Sequence, residues 1–278
     1  MIYDLLIVGI LFAWSFARII QKKIISVPSS SEFTKWVIIL GAILVLPLVF
    51  FVKISPLNVM IGIFIVSLLW IAELFSKFIA IKKEEVSRLM AFSSFKFLVA
   101  MLLTVLFLGE TANINTLLGG ILMLLGGFFI ALEKNYFKKI KVSNLALFFF
   151  IFSMLISGIG YFVRQVLLQK TDPFSIMFFS TIFGAILIIP TIRKKPQIPK
   201  FRFLILSQFL MTYGFFLLLW ILSKQELVFT IPILAIQPLI ILILGKKFLK
   251  ESKHTFLSRF LGMISIILGY LILRGFLI

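Results

Sequence analysis

The chain has 278 residues, 62% of them hydrophobic and only 14% charged, with mean hydropathy +1.18. Soluble domains run at about 45–50% apolar and about 25% charged, so a soluble globular protein is excluded. The net charge of +18 would suggest nucleic acid in a soluble chain. Here the basic residues sit between long apolar runs, where they set orientation and meet anionic lipid. The absence of cysteine excludes disulfides, thiol chemistry and Cys-based metal sites.

The apolar runs are long enough to cross a bilayer as helices, which takes about 20 residues each. No strand-by-strand alternation suggests a transmembrane barrel. Ten helices fit, at 2–21, 36–52, 58–80, 88–108, 115–132, 144–168, 174–192, 202–222, 227–247 and 257–276. The first run begins almost at Met1 with no basic leader or small-residue cleavage site, so it reads as a helix and not as a removed signal. The longest polar break, Glu133 to Ser143, divides the chain into five helices and five.

Landmarks recur across that break. Glu110 and Glu251, Lys83 and Lys224, and Glu85 and Glu226 are 141 positions apart; Gly119 and Gly262, and Gly126 and Gly269, are 143 apart. A nearly constant offset is the mark of an internal duplication. With an odd number of spans per copy, the second copy enters the membrane the other way up. The expected fold is therefore an all-α integral membrane protein of ten transmembrane helices, built as two inverted five-helix repeats, 1–140 and 141–278. Secondary transporters are commonly built this way, with the substrate near mid-membrane between the repeats. The recurring glycines read as positions where helices approach closely.

Of the 28 basic residues, 20 fall on one side of this topology and 4 on the other, the remaining four lying within helices. The positive-inside rule makes the rich side cytoplasmic and puts both termini outside, in a multi-pass protein of the cell membrane.

Ionisable groups within the spans are few, and each is a functional candidate because charge is costly there. Lys96, in helix four, and Glu73, in helix three, are expected to form a pair lining a cavity or a structural ion pair. Trp70, Glu73 and Lys77 share one helix face, with Lys77 expected to reach the membrane surface. Arg18 and Arg164 occupy similar places in the first helix of each half, offset by 146, and are expected either at two gates or snorkelling to opposite surfaces. Gln208, Tyr213, Trp220 and Gln237 are the polar and aromatic candidates of helices eight and nine; Gln237 matches Lys96 at the offset of 141. Pro232 and Pro238 remove backbone donors inside helix nine. No cluster of metal ligands, P-loop or catalytic constellation is visible, so no cofactor, metal or enzymatic activity is expected.

Two stretches carry a resemblance. One runs from Glu85-Val86 through Phe107-Leu108-Gly109-Glu110 to Gly119 and Gly126; the other runs from Trp220 through Gln237-Pro238 and Lys250-Glu251 to Gly262 and Gly269. In these the chain resembles the drug/metabolite transporter superfamily, specifically its ten-helix EamA-type members. Phe12-Ala13-Trp14-Ser15 is similar to the family's first-helix Trp-Gly element, with Ser15 in place of glycine, and this adds Trp14 to the substrate-binding candidates. Phe97 stands where the family often has proline. Many relatives place both termini in the cytoplasm, against the charge count here. The resemblance implies a secondary transporter or facilitator for a small polar metabolite, an amino acid or related compound, working by alternating access. The alternatives are an exporter of hydrophobic or cationic toxic compounds and a non-transporting scaffold subunit. The expected partners are the lipid bilayer and a small-molecule substrate, with a monomer plausible.

Overall fold

The structure is a computed structural model that describes residues 2–25, 28–84, 86, 89, 91–109, 114–131, 144–192, 200–225, 227–234, 236–249 and 256–273. Among these every regular element is a helix: α1 (Ile2–Ile24), α2 (Ser30–Val45), α3 (Leu57–Lys83), α4 (Ser94–Leu108), α5 (Ile114–Ala131), α6 (Asn144–Leu168), α7 (Pro173–Ile188), α8 (Phe201–Leu222), α9 (Leu227–Leu234), α10 (Gln237–Phe248) and α11 (Phe256–Leu273). Six stretches are long and apolar enough to cross a membrane, in α1, α2, α3, α6, α7 and α8; shorter apolar helices are Phe95–Leu108, Leu117–Gly126 and Leu261–Ile272.

Local chemistry sets the boundaries. Ser29 caps α2 by accepting the Glu32 N–H at 3.0 Å, and Asp172 caps α7 by accepting that of Ser175 at 2.9 Å, with Pro173 opening the helix. Side-chain oxygens at this position satisfy N–H groups that have no partner inside the helix. Pro47 and Pro190 end the same two helices in 3-10 turns, Leu46–Phe51 and Ile189–Thr191. The helix expected at 227–247 is divided into α9 and α10, with the Ile236 N–H donating to Ile233 O at 3.2 Å between them. Pro238 has no N–H to give to the carbonyl of Leu234 four residues earlier, which is why the α pattern fails there. Helix four likewise enters through a 3-10 turn, Ala91–Ser93, before α4 begins.

The caps, prolines and glycines repeat in register. Ser29 and Asp172, Gly41 and Gly184, and Pro47 and Pro190 stand 143 positions apart, as do Gly119 and Gly262, and Gly126 and Gly269. Packing follows the same exchange of halves: α1 packs on α8 as α6 packs on α3, while α2 against α7 and α5 against α11 pair equivalent helices. The α5–α11 contact is the most extensive. A Cβ on Gly126 would lie 2.7 Å from Gly262 O, and one on Gly269 would lie 2.6 Å from Gly119 O. Ser265 donates to Leu122 O across this contact at 2.8 Å.

The helix ends sort into two groups. At one end Lys22 donates to Ile81 O and Glu84 O, Lys82 to Pro28 O, and Lys35 to Thr191 O. At the other, Ser55 and Thr171 share a hydrogen bond and the Lys53 N–H donates to the Ser175 hydroxyl. Large apolar side chains such as Phe50, Ile54, Leu57 and Leu106 face outward, whereas Ser67, Glu73, Lys77, Lys96, Arg164 and Gln208 are buried. This is the arrangement of a chain dissolved in lipid, where apolar side chains face the acyl chains and polar and charged ones face inward.

Candidate functional site

Many of the buried polar side chains converge on a cavity of about 110 Å³. At about 30 Å³ for each water in the liquid, it has room for about four such molecules. Each contributing helix presents one stripe at three- and four-residue spacing: Trp14, Arg18 and Gln21 from α1; Trp70, Glu73 and Lys77 from α3; Ser157, Tyr161 and Arg164 from α6; Gln208, Met211, Thr212 and Phe215 from α8. Residues so spaced share a helix face. Ser180 and Thr181 of α7 complete the wall, with Ser93 and Lys96 at the start of α4 and Gln237 at the start of α10.

Small residues make room for the large ones. A Cβ on Gly184 would lie 3.1 Å from the Trp70 ring, one on Gly41 would lie 3.0 Å from Gln208 Nε2, and one on Gly214 would lie 2.7 Å from Trp14 Nε1. Trp14 donates through Nε1 to Met211 O at 3.3 Å and stacks on Phe215 at 6.3 Å between centroids. Gly158 brings α6 against α4, since a Cβ there would meet Lys96 O at 2.6 Å.

Among the described residues the lining holds four basic side chains, Arg18, Lys77, Lys96 and Arg164, and one carboxylate, Glu73. Glu73 is paired with Lys77, one turn along α3, and not with Lys96 as expected; Lys77 is buried with it and does not reach the surface. The four-residue spacing lets the two close on each other without another helix. Lys96 instead sits over the rings of Phe97 at 4.5 Å and Tyr161 at 5.9 Å. Arg164 lies over Phe215 at 4.9 Å, and Arg18 over Phe78 at 5.9 Å. Arg18 also donates to Gln21 Oε1 at 2.8 Å.

Of the residues proposed from sequence, Lys96, Glu73, Trp70, Gln237, Trp14 and Gln208 all line this cavity. Tyr213 and Trp220 do not. Tyr213 falls off the stripe of α8 and donates to Leu44 O at 3.1 Å, while Trp220 is 37% exposed beside Tyr3. Arg18 and Arg164, expected toward opposite surfaces, line the same cavity. Helical side chains lean toward their own N-terminus, and Arg164 does so, its Nη1 lying beside Gly160. The offset of 143 that relates the caps pairs Arg18 with Tyr161 and Gln21 with Arg164. Sequence reasoning had matched the arginines to each other, and so missed Gln21 and Tyr161. It also left out Ser157, Thr181 and Thr212, whose signal was only their place on a polar stripe. Among the described residues no group of three or more His, Asp or Glu could hold a metal.

A helical membrane protein with a buried polar cavity, walled by both halves of a repeated bundle, is the class that this architecture defines. The chain belongs to the EamA-like transporter family, whose sequence pattern matches residues 1–132 and 144–275. Members of that family are membrane transporters of small molecules. A crystal structure of another protein shares the fold at TM-score 0.72 and 11% identity, over 97% of this chain and 95% of that one. No curated protein matches the chain.

Proposed function

We propose that the chain is a secondary transporter or facilitator that moves a small polar metabolite, an amino acid or related compound, across the cell membrane by alternating access. The observation that carries this reading is a polar cavity walled by helices of both halves. In this reading the ten helices, counting α9 and α10 as one, form two inverted repeats, 1–140 and 141–278. Rocking of one repeat against the other exposes the cavity to each side in turn. Both termini lie outside, as the distribution of basic residues indicates.

Lys96, Trp70, Trp14, Gln208 and Gln237 then contact the cargo, Glu73 and Lys77 hold α3 in shape, and Arg18 and Arg164 act on the cargo more than as separate gates. Export of hydrophobic cations is the weaker reading, because the one acid in the lining already holds Lys77 and three further cations surround it. Purified protein in proteoliposomes, offered labelled amino acids, organic anions and organic cations, tests the proposal. Protein-dependent flux of a polar compound is expected, and a protein that binds and moves none of them overturns it.

A further inference from the structure

We infer that the cargo is a compact organic anion carrying two or more negative charges. This rests on reading the cavity as the transport site and goes beyond it by fixing the charge of what is carried.

Glu73 and Lys77 neutralise each other. That leaves Arg18, Lys96 and Arg164, which have 6%, 8% and 5% of their surface exposed, around one small space. Among the described residues none of the three makes an ion pair. Aromatic faces hold them instead: Phe78 under Arg18, Phe97 and Tyr161 beside Lys96, Phe215 under Arg164. A ring face steadies a cation without cancelling its charge and leaves its N–H donors directed elsewhere. The Nε of Arg164 is buried and has no hydrogen-bond partner. Charged groups at membrane depth pair with each other or face a polar cavity, so these three side chains give the cavity an excess of positive charge that an anionic cargo would meet.

This excess separates the classes of cargo: a neutral or zwitterionic compound leaves it whole, a monoanion offsets one charge of it, and a dianion offsets two. The cavity, at about 110 Å³, is small, which favours a compact body such as a dicarboxylate or a small phosphate monoester over a large one. Guanidinium groups present paired donors that match either head group. Ser157, Ser180, Thr181 and Thr212 supply hydroxyls around it, and Trp14 and Trp70 cover its carbon body.

The test varies charge at nearly constant shape. Purified wild-type protein in proteoliposomes is given succinate, its monomethyl ester and its dimethyl ester, with glycerol phosphate and alanine alongside, and both flux and thermal stabilisation are read. Succinate or glycerol phosphate is expected to move and to stabilise the protein, the two arms separating carboxylate from phosphate recognition. The monoester is expected to be weaker by about tenfold or more, the scale of one lost charge-assisted contact. Arg164→Gln and Lys96→Gln are each expected to cut dianion flux by a similar factor, with Lys96→Arg recovering part of it. Equal or faster flux of alanine or the monoester overturns the charge assignment and leaves a transporter. If none of these compounds, and no amino acid or cation, is moved or bound, the transport reading falls with it. The ester series needs no variant, so misfolding of a mutant cannot protect the inference.

Discussion

Lys77 shows how one residue can reorganise a site. As a long side chain near the end of a span, it is expected to snorkel; buried beside Glu73, it removes the acid that Lys96 would otherwise have met. Breaking such a pair leaves an uncompensated buried charge, which costs more than removing both members. Glu73→Gln should therefore destabilise the folded protein by about 3 kcal/mol, while Glu73→Gln with Lys77→Met should cost clearly less than the two single changes added together. Denaturant unfolding in detergent, run as a double-mutant cycle, measures this; additive costs would deny the pair its energetic role. Lys96→Ala should leave a folded protein, by its melting profile, with transport lowered by roughly two orders of magnitude. Normal flux would remove Lys96 from the site.

Helix by helix, most of the fold is legible in the chain, because apolar run length and polar breaks mark spans directly. What escapes is where a helix changes character. Pro238 announces the break between α9 and α10, but no proline marks the 3-10 entry to α4. The direction in which a stripe faces also escapes, as Tyr213 illustrates: it lies one residue beyond Thr212 and belongs to a different wall. In runs of Leu, Ile and Phe a repeat can slide by a few positions without penalty, and that ambiguity matched Arg18 to Arg164. Caps, prolines and glycines pin the register because their backbone roles tolerate no slide.

The glycines also make the sharpest prediction at this scale. Gly269→Ala places a methyl against the Gly119 carbonyl and should cost about 1–3 kcal/mol, the usual penalty of overpacking. Gly9→Ala meets nothing within 4 Å and should be neutral or slightly stabilising, since alanine is the better helix former. Melting temperatures of the two variants compare them directly. Gly158→Ala should act on function too, because the atom it would strike is the carbonyl of Lys96. Reduced flux with modest destabilisation is the expected outcome, read in the same liposome assay.

For the whole molecule, the proposed orientation rests on where the basic residues lie. The lysine-to-carbonyl contacts gather Pro28, Ile81, Glu84 and Thr191 at one end, and the Ser55–Thr171 bond marks the other. The proposed placement of the termini outside predicts that a reporter fused after Ile278 and active only in the cytoplasm stays silent. A strong signal would reverse the topology while leaving the cavity as described.

The repeated frame and the unrepeated lining have a joint consequence. Two identical halves facing opposite ways would make the inward-open and outward-open forms mirror each other in energy. Here Arg18 answers to Tyr161, and Gln21 to Arg164, so that degeneracy is lifted. In the proposed alternating-access cycle these side chains would help set a preferred resting side, and exchanging them between copies should shift which side is favoured.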